Sequence, residues 1–173
     1  MMRLLEVAGI PPLTDVVRRA DDDNPGGYFE YERVKQLPAG DVAWLDGAAG
    51  HAVKVITTLL KHLPDDRSYD VIVLRRDLGE VVASQQTMLE RRGQDVTSFD
   101  PAALADMLGR HADAVERWLD DAPNIRVLRV EHHSLLTVPD DSAKELSAFL
   151  HVPIDGDMVR SVVDPALYRN RKP

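Results

Sequence analysis

The 173-residue chain contains no cysteine. Disulfides, thiol nucleophiles and thiolate metal sites are therefore excluded, and a reducing compartment, the cytoplasm, is the expected location. Long apolar runs are also missing, since no stretch approaches the ~20 residues that span a bilayer. Arg3 and Glu6 interrupt the apolar amino-terminal segment. We therefore expect neither a membrane span nor a signal peptide.

The chain has fewer basic than acidic residues. Lysine and arginine number 21 against 29 aspartates and glutamates, and the net charge is −8. Without a broad positive field, we expect no nucleic acid and no anionic membrane among the partners, although a local phosphate site is still compatible with this charge. The contiguous carboxylates of Asp21–Asp23 point in different directions, so we interpret them as a solvated loop and predict no metal site.

Hydrophobic residues make up 44% of the chain and charged residues 29%, which is typical of one globular domain over residues 1–173. Strand and helix patterns alternate with short links. This order predicts an α/β fold, a mostly parallel sheet with helices on both faces. Strands are predicted at Val53–Ile56, Val71–Leu74 and Ile125–Val130, a short turn at Leu59–His62, and helices at Met1–Ala8, Tyr31–Leu37, from Phe99–Pro101 to about Asp121, at Ser142–Leu150 and at Asp157–Val163.

The segment 70–84 is the most informative part of the chain, because a buried strand leads directly into a capped helix. Asp77 is a good N-cap, and Glu80 stands three residues later, in the capping-box position. One face of this helix is expected to carry the residues Leu78, Val81, Val82, Gln85 and Leu89. Arg75 and Arg76 end the strand, so their cationic forks and the free amides of the helix should converge on one phosphate-sized spot.

Ser84 follows Arg76 by eight residues, which places it about two helical turns into the helix, at the edge of the apolar face. From there the Ser84 hydroxyl can face the same end of the strand as the Arg76 side chain. The alternative is an ordinary exposed strand end with a solvated arginine pair. The pattern alone leaves both interpretations open.

Residues 76–84 resemble the 3′-phosphate-binding motif of the sulfotransferases that use 3′-phosphoadenosine-5′-phosphosulfate. Further similarity to this family, and to a bacterial sulfotransferase-like subgroup of it, extends over the ranges 8–15, 23–30, 52–64, 127–131 and 143–150. The resemblance implies a P-loop-type nucleotide-binding fold in which Arg76 and Ser84 hold the 3′-phosphate and the basic tail contributes Arg171. It also implies sulfuryl transfer from that cofactor to a hydroxyl or amine acceptor of unknown identity.

The family's 5′-phosphosulfate loop has no counterpart, because residues 1–9 are predicted to form a helix closed by Gly9. The resemblance therefore implies a chain truncated at its amino terminus, lacking the first central strand and inactive as written. Such a chain should associate with itself through the unpaired strand edge. A non-catalytic nucleotide-binding or interaction module that keeps only the 3′-phosphate site stays open as the alternative. A kinase of related fold would need the same missing loop.

No catalytic residue is assigned from the sequence. In the cytosolic members of the family the base is a histidine after the strand equivalent to Val53–Ile56, where this chain has Thr57 and Thr58. His132 and His133 follow a strand, but neighbours in an extended chain face opposite ways, so at most one of them should point into any site. The aromatic residues Tyr28, Phe29 and Tyr31 are interpreted as a cluster that holds a loop in place.

Overall fold

The computed structural model of the chain describes residues 1–15, 17, 18, 20, 21, 24, 26–97 and 99–163. Its two strands are β1 (Tyr69–Arg75) and β2 (Ile125–Glu131). Its α-helices are α1 (Met2–Val7), α2 (Leu78–Arg91), α3 (Pro101–Asp121), α4 (His132–Thr137), α5 (Pro139–Leu150) and α6 (Gly156–Val162). Shorter 3₁₀ helices cover Glu32–Ala39, Ala43–Gly47 and Thr57–His62. The α/β fold class is confirmed.

The sheet consists of β1 and β2, which pair in parallel in a register that runs from Tyr69 opposite Ile125 to Arg75 opposite Glu131. Both strands were predicted, and both extend beyond their apolar runs. Helices α2 and α3 form the crossover between them. The two strands pair directly over seven residues, so no gap separates them.

Helices cover both faces of this sheet, as predicted. On one face, Ile72, Leu128 and Val130 pack with residues of α1, α4, α5 and α6 around the fully buried Leu146. On the other face, Arg75 of β1 and Arg129 of β2 bond to Glu116 of α3, and we call this the ion-pair face. The opposite face packs the apolar core and also carries the Asp70–Arg126 ion pair.

The predicted strand at Val53–Ile56 is wrong. Ahead of it, Ala52 forms an isolated parallel bridge with Pro12, in which the Ala52 amide donates to the Pro11 carbonyl and the Leu13 amide to the Ala52 carbonyl. A parallel ladder would continue with a bond from the Asp15 amide to the Lys54 carbonyl, but that amide donates to the Glu30 carbonyl at 3.3 Å instead. Instead, the side chains of residues 53 and 55 join a second small core around Trp44.

The helix predictions hold with small changes at the ends. Asp100 caps α3 by accepting bonds from the amides of Ala102 and Ala103, at 2.9 Å and 3.0 Å. Helix α5 begins at Pro139, three residues before the predicted start, because proline suits the first turn of a helix. The helix predicted at Tyr31–Leu37 is a 3₁₀ helix. Among the described helices, none is both long and apolar enough to cross a membrane.

Candidate functional site at the carboxyl edge of the sheet

The carboxyl edge of the sheet is where β1 leads into α2 through Arg76 and Asp77. The Asp77 carboxylate accepts a hydrogen bond from the Glu80 amide at 3.2 Å, so the predicted N-cap is confirmed. This cap satisfies one of the amides that the first turn of a helix leaves without an internal partner. The helix therefore starts within two residues of the strand, and its positive end lies at the sheet edge.

Arg76 is partly exposed, with 34% of its side chain accessible, and its Nη2 lies 3.9 Å from Glu80 Oε2. Glu80 itself is only 7% exposed. A buried carboxylate is stable only with charged or polar partners, and the Arg76 guanidinium supplies a positive charge at ion-pair distance. The sequence indicated Glu80 as a capping residue only; the signal for its second role is the four-residue spacing from Arg76.

The two arginines that were expected to converge are separated by the structure, which corrects that prediction. Arg75 bonds to Glu116 of α3 on the ion-pair face, whereas Arg76 lies with Glu80. Side chains of consecutive residues at a strand end point to opposite faces. The separation of Arg75 from Arg76 could therefore have been predicted from the two-residue period of a strand. Any phosphate at this edge meets one arginine from this pair.

Ser84 is half-buried on α2, one turn after Glu80. Since residues four apart share a helix face, Glu80 and Ser84 form one line along α2 that begins beside Arg76. Its role as a phosphate ligand stays a prediction. Arg171, the third predicted ligand, lies outside the described residues.

The predicted apolar face of α2 is only partly right. Val82 is buried, but Leu78 is 36% exposed and lies beside α3 at Gly109, and Gln85 is exposed. The buried side of the first turn carries Glu80 instead. The helix therefore directs a charged group, rather than a leucine, toward the interior at the sheet edge.

His132 is the first residue of α4, so the expectation of extended chain at His132 and His133 is wrong. It follows β2 directly, whereas Arg76 follows β1, and the sheet register brings these two strand ends together. Burial lowers the pKa of His132, and the positive charge of Arg76 lowers it further, against the opposing effect of Glu80. The imidazole is thus neutral at pH 7 in the protein as described.

Glu116 joins the two strand ends on the opposite face. Its carboxylate accepts hydrogen bonds from Arg75 Nε at 2.9 Å and from Arg129 Nε at 2.6 Å. Burial alone would raise the pKa of Glu116, but the bonds from Arg75 and Arg129 outweigh burial and lower it. This carboxylate is therefore ionised at neutral pH and holds α3 against both strands.

Beyond Glu116, α3 brings His111 to the segment that precedes β1. His111 Nε2 and the Thr57 hydroxyl are 2.8 Å apart. Thr57 stands where the resemblance led us to look for a base, and a histidine from another element is beside it. The one signal for His111 in the sequence is a titratable residue at helical spacing among the apolar residues of α3. An imidazole so placed can accept a proton from a bound hydroxyl or amine.

Tyr28 and Tyr31 hold the loop near residue 30 in place, as predicted. The Arg18 guanidinium lies 3.4 Å above the Tyr28 ring, and the Tyr28 hydroxyl donates to Asp21 at 2.7 Å. Tyr31 meets Trp44 edge to face, with ring centroids 5.4 Å apart. These contacts fix the amino-terminal segment on the second core.

Comparison with known proteins gives one result. A model described as the sulfotransferase family matches residues 24–156, which include both strands and all of α2, α3, α4 and α5. No curated protein and no solved structure matches the chain significantly.

Proposed function

Because this chain belongs to the sulfotransferase family, we propose that it binds 3′-phosphoadenosine-5′-phosphosulfate, with Arg76 and Ser84 on the 3′-phosphate. In the complete catalytic form, the bound nucleotide supplies the sulfuryl group that passes to a hydroxyl or amine of a small acceptor. The cytoplasm is the proposed location, since a reducing compartment suits a chain without cysteine.

The observation that carries the proposal is the placement of Arg76 between the carboxyl end of a parallel strand and the capped start of α2. Ligands of open α/β sheets bind outside the carboxyl ends of the strands. An arginine fork and the amides of a helix start both favour a phosphate there. The residues present thus fit the 3′-phosphate of the nucleotide.

Glu80 prepares Arg76 for this role. The 3.9 Å separation between Arg76 Nη2 and Glu80 Oε2 is an ion-pair distance, longer than a hydrogen bond. The carboxylate therefore orients the guanidinium through its charge, and the one-third exposure of the arginine leaves a side open toward solvent. Ser84, one turn beyond Glu80, would add a neutral hydroxyl donor.

We assign to His111 the role of the base that takes the proton released by the acceptor. The acceptor loses one proton as its oxygen or nitrogen bonds to sulfur, and this proton needs a base. Thr57, whose hydroxyl lies 2.8 Å from His111 Nε2, cannot itself be that base at neutral pH. Instead it orients the imidazole, as a hydrogen-bond partner orients a catalytic histidine.

The test is calorimetric titration of adenosine 3′,5′-bisphosphate into the wild type and single variants. Arg76→Ala should lose about 1.5–3 kcal/mol of binding free energy, the value of a charge-assisted hydrogen bond, and Ser84→Ala about 0.5–1.5 kcal/mol. Arg117→Ala, an exposed arginine of α3, is the matched control and should bind like the wild type. Equal affinity in Arg76→Ala and the wild type, or no binding by the wild type, would refute the proposal.

A further inference from the structure

The register of the sheet makes His132 the cross-strand neighbour of Arg76. The last paired residues are Arg75 and Glu131, so the chain leaves the sheet through Arg76 on one strand and through His132 on the other. Adjacent strands lie about 4.8 Å apart, and their next residues begin from that separation. Both residues are thus positioned by the same seven-residue ladder.

The surroundings of His132 are charged on several sides. Arg76 lies on the connection after β1, Glu80 on α2, the amino group of Met1 on α1 and His133 on its own helix, and each of these acts electrostatically on the imidazole. Glu80 is the one acidic group among them. Burial and the neighbouring cations together lower the pKa of His132 from 6.5. In the protein without ligand, burial in the first place and the cationic neighbours in the second therefore keep the imidazole neutral.

A phosphate bound at Arg76 reverses this balance. A bound phosphate brings as many as two negative charges next to Arg76, the cation that disfavours the imidazolium in the free protein. A nearby anion favours the charged form of histidine, so the phosphate favours protonation of His132. We propose that His132 is a further residue of the Arg76 anion site, and that a phosphate bound there brings a proton onto its imidazole, which then donates to the anion. This inference rests on the proposed nucleotide site and adds a ligand to it.

The sign of the pH dependence follows from linkage. If binding takes up a proton, affinity rises as the pH falls between the pKa of His132 in the bound protein and its lower value in the free protein. The phosphate also titrates, with a second pKa near 6, and this lowers affinity at acid pH. The comparison of the wild type with a variant that lacks the imidazole removes the contribution of the ligand, because the ligand is the same in both.

The experiment measures binding of adenosine 3′,5′-bisphosphate to the wild type and to His132→Gln across the range from about pH 6 to 7.5, around the ordinary pKa of histidine. The ratio of their affinities should favour the wild type more strongly as the pH falls, by up to about tenfold per pH unit. Calorimetry in two buffers of different ionisation enthalpy should show more protons taken up by the wild type than by His132→Gln.

Two further variants separate a ligand role from a structural one. His133→Gln removes the neighbouring, exposed histidine, whose effect on His132 is the smallest of those named, and should keep the rise in affinity as the pH falls. Glu80→Gln keeps both histidines but removes the carboxylate that favours the charged form of His132, so the rise in affinity should move to lower pH. This shift also tests the inference if His132→Gln does not fold.

Each result decides the question. A wild type that binds the nucleotide with the same pH profile and proton count as His132→Gln would overturn the inference and leave the Arg76 site intact. Equal effects of the substitutions at His132 and His133 would also overturn it. No nucleotide binding by the wild type at any pH would overturn the proposed function and this inference together.

Discussion

Replacing Glu116 by glutamine should loosen the attachment of α3 to both strands. Glu116 Oε1 accepts from Arg75 Nε and Nη2 at 2.9 Å and 2.6 Å, and Oε2 accepts from Arg129 Nε at 2.6 Å. In the variant, one oxygen becomes an amide donor that faces an arginine donor. A charge-assisted bond contributes about 1.5–3 kcal/mol when well shielded. Both arginines are partly exposed, so solvent screens these bonds and each contributes less than the shielded value. We therefore expect the loss of all three to lower the free energy of unfolding by about 2 kcal/mol.

For a domain of this size, that loss lowers the unfolding midpoint by about 4–8 °C. The assay is thermal unfolding followed by circular dichroism, with Glu145→Gln on the exposed side of α5 as the matched control. Because the hydrogen bonds lower the pKa of Glu116 in the folded state, its stabilisation is present above the unfolded carboxyl pKa of about 4.3 and is lost as the pH falls through the folded value. The midpoints of wild type and variant should therefore converge at acid pH. A midpoint at pH 7 equal to that of Glu145→Gln, or a difference that does not shrink as the pH falls below the unfolded carboxyl pKa, would refute this reasoning.

Two other substitutions test the base assignment and the backbone. In a form of the protein that transfers sulfate, His111→Gln should lower the rate of transfer to a panel of phenols and alcohols by about 10²- to 10⁴-fold, the usual contribution of a general base. His62→Gln should leave this rate unchanged, and a rate in His111→Gln equal to that of His62→Gln would show that another group takes the proton. His151 ends α5 with φ 58°, in the left-handed region. His151→Gly should therefore raise the free energy of unfolding by about 0.5–1 kcal/mol in urea titrations, because glycine adopts this conformation without strain. A lower value than the wild type would contradict this account.

The segment 70–84 could be predicted closely because its signals are local. An apolar run, an arginine and an N-cap act within a few residues, and tertiary packing does not override them. The failure at Val53–Ile56 has a non-local cause. That run has strand propensity, but the Asp15 amide that would extend the ladder beyond the Pro12–Ala52 bridge donates to the Glu30 carbonyl instead.

Some contacts of the candidate site could not be predicted from the sequence either, because they also join residues that are distant in the chain. Thr57 and His111 are 54 residues apart in the chain, and only the packing of α3 brings them into contact. His132 was misjudged because α4 begins directly after β2 without a side-chain cap, so no N-cap signal marked its start. The opposite directions of Arg75 and Arg76, by contrast, follow from the strand period and were within reach of sequence reasoning.

The direct pairing of β1 with β2 also bears on when the candidate site forms. Helices α2 and α3 are built from local contacts, whereas the strand pair joins residues 69–75 to residues 125–131, and such non-local pairing is slow. Arg76 and His132 are far apart until that closure. The anion site is therefore a property of the completed fold, and a ligand bound there stabilises the folded chain over partly folded forms by mass action. Nucleotide protection against unfolding would thus report that β1 and β2 are paired.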